Sequence, residues 1–187
     1  MGGANANALD ALRDPAGWPY GTAVLSGPPR SGKSLLALWF AHGGDGGGAG
    51  DVIDDADTLP EMDLFHRWNR AQEAARPLLL VSGRQPWQIA LPDLRSRIGA
   101  ALHLTVGEPD DEMLADLIEN HAAQRGLALG EGALAYLVPR AERSFAGIES
   151  LVATIDRLTL ERKVPATLSV WRDALEAVHG PEQSTLF

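Results

Sequence analysis

Eight consecutive residues, Gly27, Pro28, Pro29, Arg30, Ser31, Gly32, Lys33 and Ser34, have the spacing G-x-x-x-x-G-K-S. Those residue types at that spacing suit phosphate chemistry. Glycines let backbone N–H groups close around phosphate oxygens, and a helix starting there adds its partial positive charge. Lys33 is placed to reach the β and γ phosphates, and the Ser34 hydroxyl can hold Mg2+. The bland alternative is a chance glycine turn. Context speaks against it, because the β-rich run "TAVLS" precedes the loop and "SLLALWFA", which reads as a buried helix, follows.

A nucleotide loop also needs acids at the end of a neighbouring strand. The stretch "DVIDDAD" supplies Asp54 and Asp55 behind Val52 and Ile53. Asp54 would bind Mg2+ through water, and Asp55 would polarise an attacking water. The competing reading is an acidic turn, since the apolar run before the acids is only two residues long. No other chemistry competes. The histidines at 42, 66, 103, 121 and 179 form no ligand pair, and the chain has no cysteine, which removes disulfides, thiol catalysis and cysteine zinc sites.

These residues need a scaffold. After "NALDALRDP", a short helix stopped by Pro15, the pattern runs strand, helix, strand, helix, strand. "PLLLVS" is a continuous apolar run, as expected of a strand buried on both faces. "MDLFHRWNRAQEAAR" places Met62, Phe65 and Trp68 at helical spacing, and "ALHLTV" is a further strand. Trp39 and Trp68 are expected to pack on the sheet. Such alternation predicts a mostly parallel sheet covered by helices. Past Val106 the character turns helical. "PDDEMLADLIENHAAQRG" opens with acids and ends at Gly126; "GEGALAYLVPR" follows; Ser144 caps a helix whose stripe is Phe145, Ile148, Leu151, Val152, Ile155 and Leu158; "LSVWRDALEAVHG" is the fourth. The expected division is an α/β domain over 1–107, a helical domain over 108–180 and a tail over 181–187.

The formal net charge of −9 over 187 residues disfavours autonomous binding to bare DNA, which rests on neutralising phosphates with Lys and Arg. No apolar run is long enough to span a membrane, the first ten residues do not read as a signal peptide, and the default is a cytoplasmic protein.

The order "GPPRSGKS", "VIDDAD", "LFHRWN", "LLLVSGR", "LPDLRSRI" and "RAERSFAGIESLVATIDR" resembles the AAA+ module of the DnaA family of replication proteins, and is more similar still to its Hda-type regulators. The resemblance covers roughly residues 9 to 178. It implies an AAA+ P-loop NTPase fold, with 108–180 as the lid. It also implies ADP or ATP with Mg2+ as cofactor, and docking on the DNA polymerase sliding clamp (β subunit). The implied activity is stimulation of ATP hydrolysis by the initiator DnaA, which prevents re-initiation. DNA would be met only through the clamp, and a homodimer stays open. Lys33 and Ser34 would hold phosphates and metal, and Asp54 and Asp55 would form the acidic motif. Arg97, in "LRSR", falls where the family places an arginine finger acting in trans, with Arg95 as the alternative. The sequence as read has no C-terminal helix-turn-helix DNA-binding domain, so the expectation is a regulator rather than an initiator.

Three departures bear on activity. Only 20 residues, positions 34 to 53, separate Lys33 from Asp54. The family fits another strand and helix there, so a four-stranded sheet lacking that edge strand is expected. Gly83 stands where the initiator carries a polar residue that senses the γ-phosphate. Ala146 stands where a nucleotide-sensing arginine is expected, with Arg143 nearby as a substitute. These changes imply weak or no hydrolysis by the protein alone. Two other functions remain open at this stage: an ATPase of another class, such as a helicase loader or clamp-associated repair factor, and a nucleotide-free adaptor.

The final "QSTLF" resembles a clamp-binding peptide, with Gln183 for the pocket rim and Leu186 and Phe187 for an apolar cleft. The family carries this element before the AAA+ module, and "MGGANANALD" contains none. Docking of the tail on the protein's own helices is the alternative.

Overall fold

Four apolar runs become four parallel strands: β1 (Thr22–Ser26), β2 (Asp51–Ile53), β3 (Leu78–Ser82) and β4 (Leu102–Thr105). Their order across the sheet is β2-β3-β1-β4. The computed structural model describes residues 3–44, 49–84 and 86–180. The chain divides into two compact units, Gly3–Gly107 and a second that begins at Glu108.

Strands β1 and β3 are buried at all five positions, as central strands of a sheet covered on both faces must be. Register aligns Ser26 with both Ser82 and Thr105, while β2 ends at Ile53 opposite Leu80. Because every pair is parallel, the loops leaving the strands share one edge of the sheet. Ligands of open parallel sheets bind at that carboxyl edge. Among the described residues no strand lies between β1 and β2, so the sheet is four-stranded, as the short spacing predicts.

The helices of this unit are α1 (Gly3–Arg13), α2 (Lys33–Ala41), α3 (Glu61–Glu73) and α4 (Pro92–Gly99). Helix α3 buries Leu64, Trp68 and Ala71, spaced at i, i+4 and i+7. Met62, expected on that face, is exposed instead, and Leu64 takes its place. Helix α2 is also less buried than its composition predicts. It buries Ala37 and Phe40, while Leu35 and Leu38 point outward from the opposite side. Trp39 is half-buried; its indole lies where any side chain at Gly44 would go, so it covers the turn after α2. Trp68 does reach the core.

The second unit contains α5 (Asp111–Gln124), α6 (Ala133–Leu137), α7 (Phe145–Arg162) and α8 (Leu168–His179). Asp110 caps α5 by accepting from the Met113 N–H at 2.9 Å, and Ser144 caps α7 by accepting from Gly147 N–H at 2.9 Å. All six residues of the expected α7 stripe are buried, packed with Leu114, Ile118 and Trp171 among others. No helix among the described residues is long and apolar enough to cross a membrane.

Candidate nucleotide site

The loop Gly27–Ser34 joins the end of β1 to the start of α2. Its first residue is held tightly. The Val106 N–H donates to Ser26 O at 2.8 Å, which brings the chain after β4 against Gly27. A Cβ on Gly27 would stand 2.9 Å from both Cβ and O of Val106. At the other end Gly32, with φ +81°, is the N-cap of α2, and its carbonyl accepts from the Leu36 N–H at 3.0 Å. Arg30 also has a left-handed backbone, φ +62°. Ser31 is buried, Lys33 half-buried, and Pro29, Arg30 and Ser34 exposed.

The Lys33 ammonium curls over the loop it belongs to. It donates to Gly27 O at 2.9 Å and Pro28 O at 2.7 Å, with Ser31 Oγ at 3.4 Å. Burial pushes its pKa below the usual lysine value, and the charges of Asp54, Asp55 and Asp57 act in the opposite direction. The residues present fit the phosphates of a nucleotide. The first N–H groups of a helix have no intrahelical partner and point along its axis. A flexible cation already converges on the same loop.

The acids follow β2. Asp54 and Asp55 are both exposed, and the Asp54 carboxylate accepts from the Asp55 N–H at 3.0 Å. Asp55 adopts φ +49°, ψ +39°, and its carbonyl accepts from both the N–H and hydroxyl of Thr58. The tight turn this makes brings in a third acid that the sequence reading did not single out. The Asp57 side chain is 3% exposed; its Oδ2 lies 3.7 Å from Arg84 Nε, and Oδ1 meets no donor among the described residues. The repeated acid in "DDAD" was the only signal available for it. Among the described residues no group of three or more His, Cys, Asp or Glu converges as a metal cage.

Helix α4 carries the arginine pair. Its entry is fixed by Glu61, whose carboxylate accepts from the N–H groups of Ala90 and Leu91 at 2.8 and 2.6 Å. Arg97 donates to Asn69 Oδ1 at 2.6 Å and lies over the rings of Phe65 and Trp68. Arg95 is exposed and lines a cavity of about 350 Å³ with Arg84, Trp87 and His103. In the second unit, Arg143 pairs with Asp111 at 2.5 Å, both largely exposed. Gln183, Leu186 and Phe187 lie outside the described residues.

No family model matches the chain. The curated relatives include the chromosomal replication initiator DnaA of two Thermus thermophilus strains. Each is 28% identical over 139 residues, which is 71% of this chain and 32% of the relative. Among solved structures, domain III of Thermotoga maritima DnaA superposes with a TM-score of 0.74 at 14% identity, covering 97% of this chain and 95% of that one. The chain is related to DnaA and has the AAA+ fold. A replication initiator DnaA bound to AMPPCP and single-stranded DNA superposes with a TM-score of 0.61 at 18% identity, over 87% of this chain and 65% of that one. The DnaA-related chain spans about a third of the length of the curated relatives it matches.

Proposed function

We propose that this DnaA-related protein is a nucleotide-binding regulator of replication initiation of the Hda type. In this reading it is tethered to the sliding clamp by Gln183, Leu186 and Phe187, and it stimulates ATP hydrolysis by DnaA. The observation that carries the nucleotide part is the convergence of Lys33 and the α2 N-terminus on the Gly27–Ser34 loop, beside the acids of the β2 turn. A bound DnaA with AMPPCP on the same fold supports adenine nucleotide as the ligand.

Gly27 to Gly32 would wrap the phosphates with backbone N–H groups, and Lys33 would leave its carbonyl partners for phosphate oxygens. Mg2+, where bound, neutralises phosphate charge; it commonly rests on one or two carboxylates together with phosphates, so no all-protein cage is needed. Ser34 and Asp54 would hold it, and Asp55 would accept a proton from water. Arg143 would contribute from the second unit after leaving Asp111.

For the trans activity, one arginine of α4 supplies the cation that stabilises phosphoryl-transfer charge in DnaA. Arg97 would do so after release from its stack on α3, and Arg95 from its exposed position. The deciding experiment measures ATP hydrolysis by DnaA with clamp-loaded DNA, with and without this protein. Acceleration that disappears in Phe187→Ala supports the reading, and no acceleration sinks it. Robust turnover by the protein alone would instead favour an ATPase of another class.

A further inference from the structure

Asp57 is the least expected group near the phosphate loop. A carboxylate 3% exposed is normally paired or hydrogen-bonded on both oxygens. Here Oδ2 has only a long contact to Arg84, whose own side chain is 68% exposed, and Oδ1 has no donor among the described residues. The turn at Asp55 drives this acid inward, so its burial is a product of local backbone geometry.

Its surroundings say what the open oxygen could receive. Asp57 is one of three carboxylates whose charge acts on Lys33, so it belongs to the phosphate loop's neighbourhood. It also lies at the carboxyl end of β3. A Cβ built on Gly83 would meet nothing closer than Asp57 Oδ2, at 3.9 Å. Gly83 therefore leaves room at the strand end, and the nearest polar atom to that room comes from the β2 turn.

We propose that Asp57 is a further binding residue of the nucleotide site, its open oxygen accepting a hydrogen bond from a water that also donates to the terminal phosphate of a nucleoside triphosphate, in the space left by Gly83. A water has two protons, so it can join two acceptors that would otherwise repel each other. A bridging water of this kind is enthalpically close to a direct hydrogen bond. The bridge exists only when a terminal phosphate is present, so Asp57 reads triphosphate against diphosphate. The inference rests on the nucleotide-binding reading above.

The test is calorimetric titration of the full chain with ATP and with ADP, each with Mg2+, together with thermal unfolding. In Asp57→Ala the ratio of ATP to ADP affinity should fall about fivefold to tenfold, the usual scale of a hydrogen bond to a charged group. ADP affinity should stay close to wild type. Asp57→Asn keeps shape and one acceptor and should fall between, which covers the case in which the alanine variant unfolds. Gly83→Asp placed in Asp57→Ala should restore the ratio, because a side chain at 83 enters the same space. An unchanged ratio with a lowered Tm makes Asp57 a turn-stabilising acid and overturns the proposal. A ratio that rises makes it a repulsive charge and overturns it too. Wild type that binds neither nucleotide overturns the parent reading as well, an outcome distinct from both.

Discussion

Arg97 stacks on Trp68: the guanidinium carbon lies 4.3 Å from the ring centre, with the Phe65 ring 4.7 Å away. The same group donates to Asn69 Oδ1, so helix α4 is pinned to helix α3 through one side chain. Arg95, one turn earlier in α4, is exposed. A planar guanidinium can satisfy a stack and an in-plane hydrogen bond together, which an ammonium cannot.

Arg97→Ala should therefore lower stability by about 1.5–3 kcal/mol, the combined scale of a cation–π contact and a charge-assisted hydrogen bond. Arg97→Lys should recover only part of that loss. Arg95→Ala should leave the unfolding temperature within experimental scatter. Thermal and urea unfolding of the three variants check this. In the DnaA hydrolysis assay, loss of stimulation in Arg95→Ala without loss of stability would assign the trans cation to Arg95. Full stimulation in Arg95→Ala would leave Arg97.

Gly27→Ala should be among the most damaging single changes. The added Cβ would sit 2.9 Å from both Cβ and O of Val106, at φ +156°. Trimming Val106 to alanine leaves both of those atoms in place, so the second change should not rescue the first. Overpacking of this kind costs about 1–3 kcal/mol, and its relief by backbone movement would shift the phosphate loop. The expected result is a lowered Tm together with weakened nucleotide binding.

The phosphate loop was legible in sequence because its chemistry is contiguous backbone: eight residues between one strand and one helix contain it. The caps at Asp110 and Ser144 and the α7 stripe were legible for the same local reason. What escaped needed separations across the chain. Asp57 means little until the turn after β2 places it beside Gly83, and Arg97 could be read only as an exposed finger until α3 supplied Trp68 and Asn69. Helix α2 misled in the other direction. Its apolar composition predicts burial all round, yet only one side meets the sheet, leaving Leu35 72% exposed.

Lys33 should leave a signature in the pH dependence of stability. Burial lowers its pKa in the folded state, the nearby carboxylates only partly opposing this. Between the lowered folded pKa and the unfolded value of about 10.4, the unfolded chain binds more protons than the folded one. Stability contributed by this group must therefore rise with pH across that window, and the unfavourable contribution is fully present below it. Lys33→Met lacks the term. Subtracting the variant's unfolding free energy from that of wild type at each pH should give a difference that grows in favour of wild type as pH climbs toward 10. The same variant should show no Tm increase on adding ATP, whereas a bound ligand stabilises wild type by mass action.

Glu61 offers a way to separate the positioning of α4 from nucleotide binding. Its two carboxylate oxygens accept from Ala90 and Leu91, the residues that lead into Pro92 at the start of α4. No other side chain makes this link among the hydrogen bonds of the described residues, and Glu61 itself sits in the first turn of α3, where a negative charge is favoured by the helix dipole. Glu61→Ala removes both acceptors and should cost about 2 kcal/mol, since hydrogen bonds to a charged group contribute more than neutral ones. Glu61→Gln keeps one acceptor and should cost less. Neither change touches the Gly27–Ser34 loop, so ATP and ADP affinities should hold. Hydrogen exchange should quicken at Ala90, Leu91 and the first turn of α4, and stimulation of DnaA hydrolysis should fall because both α4 arginines lose their fixed position. Unchanged exchange at those amides would show that Pro92 and the packing of Leu94 and Ile98 hold the helix without Glu61.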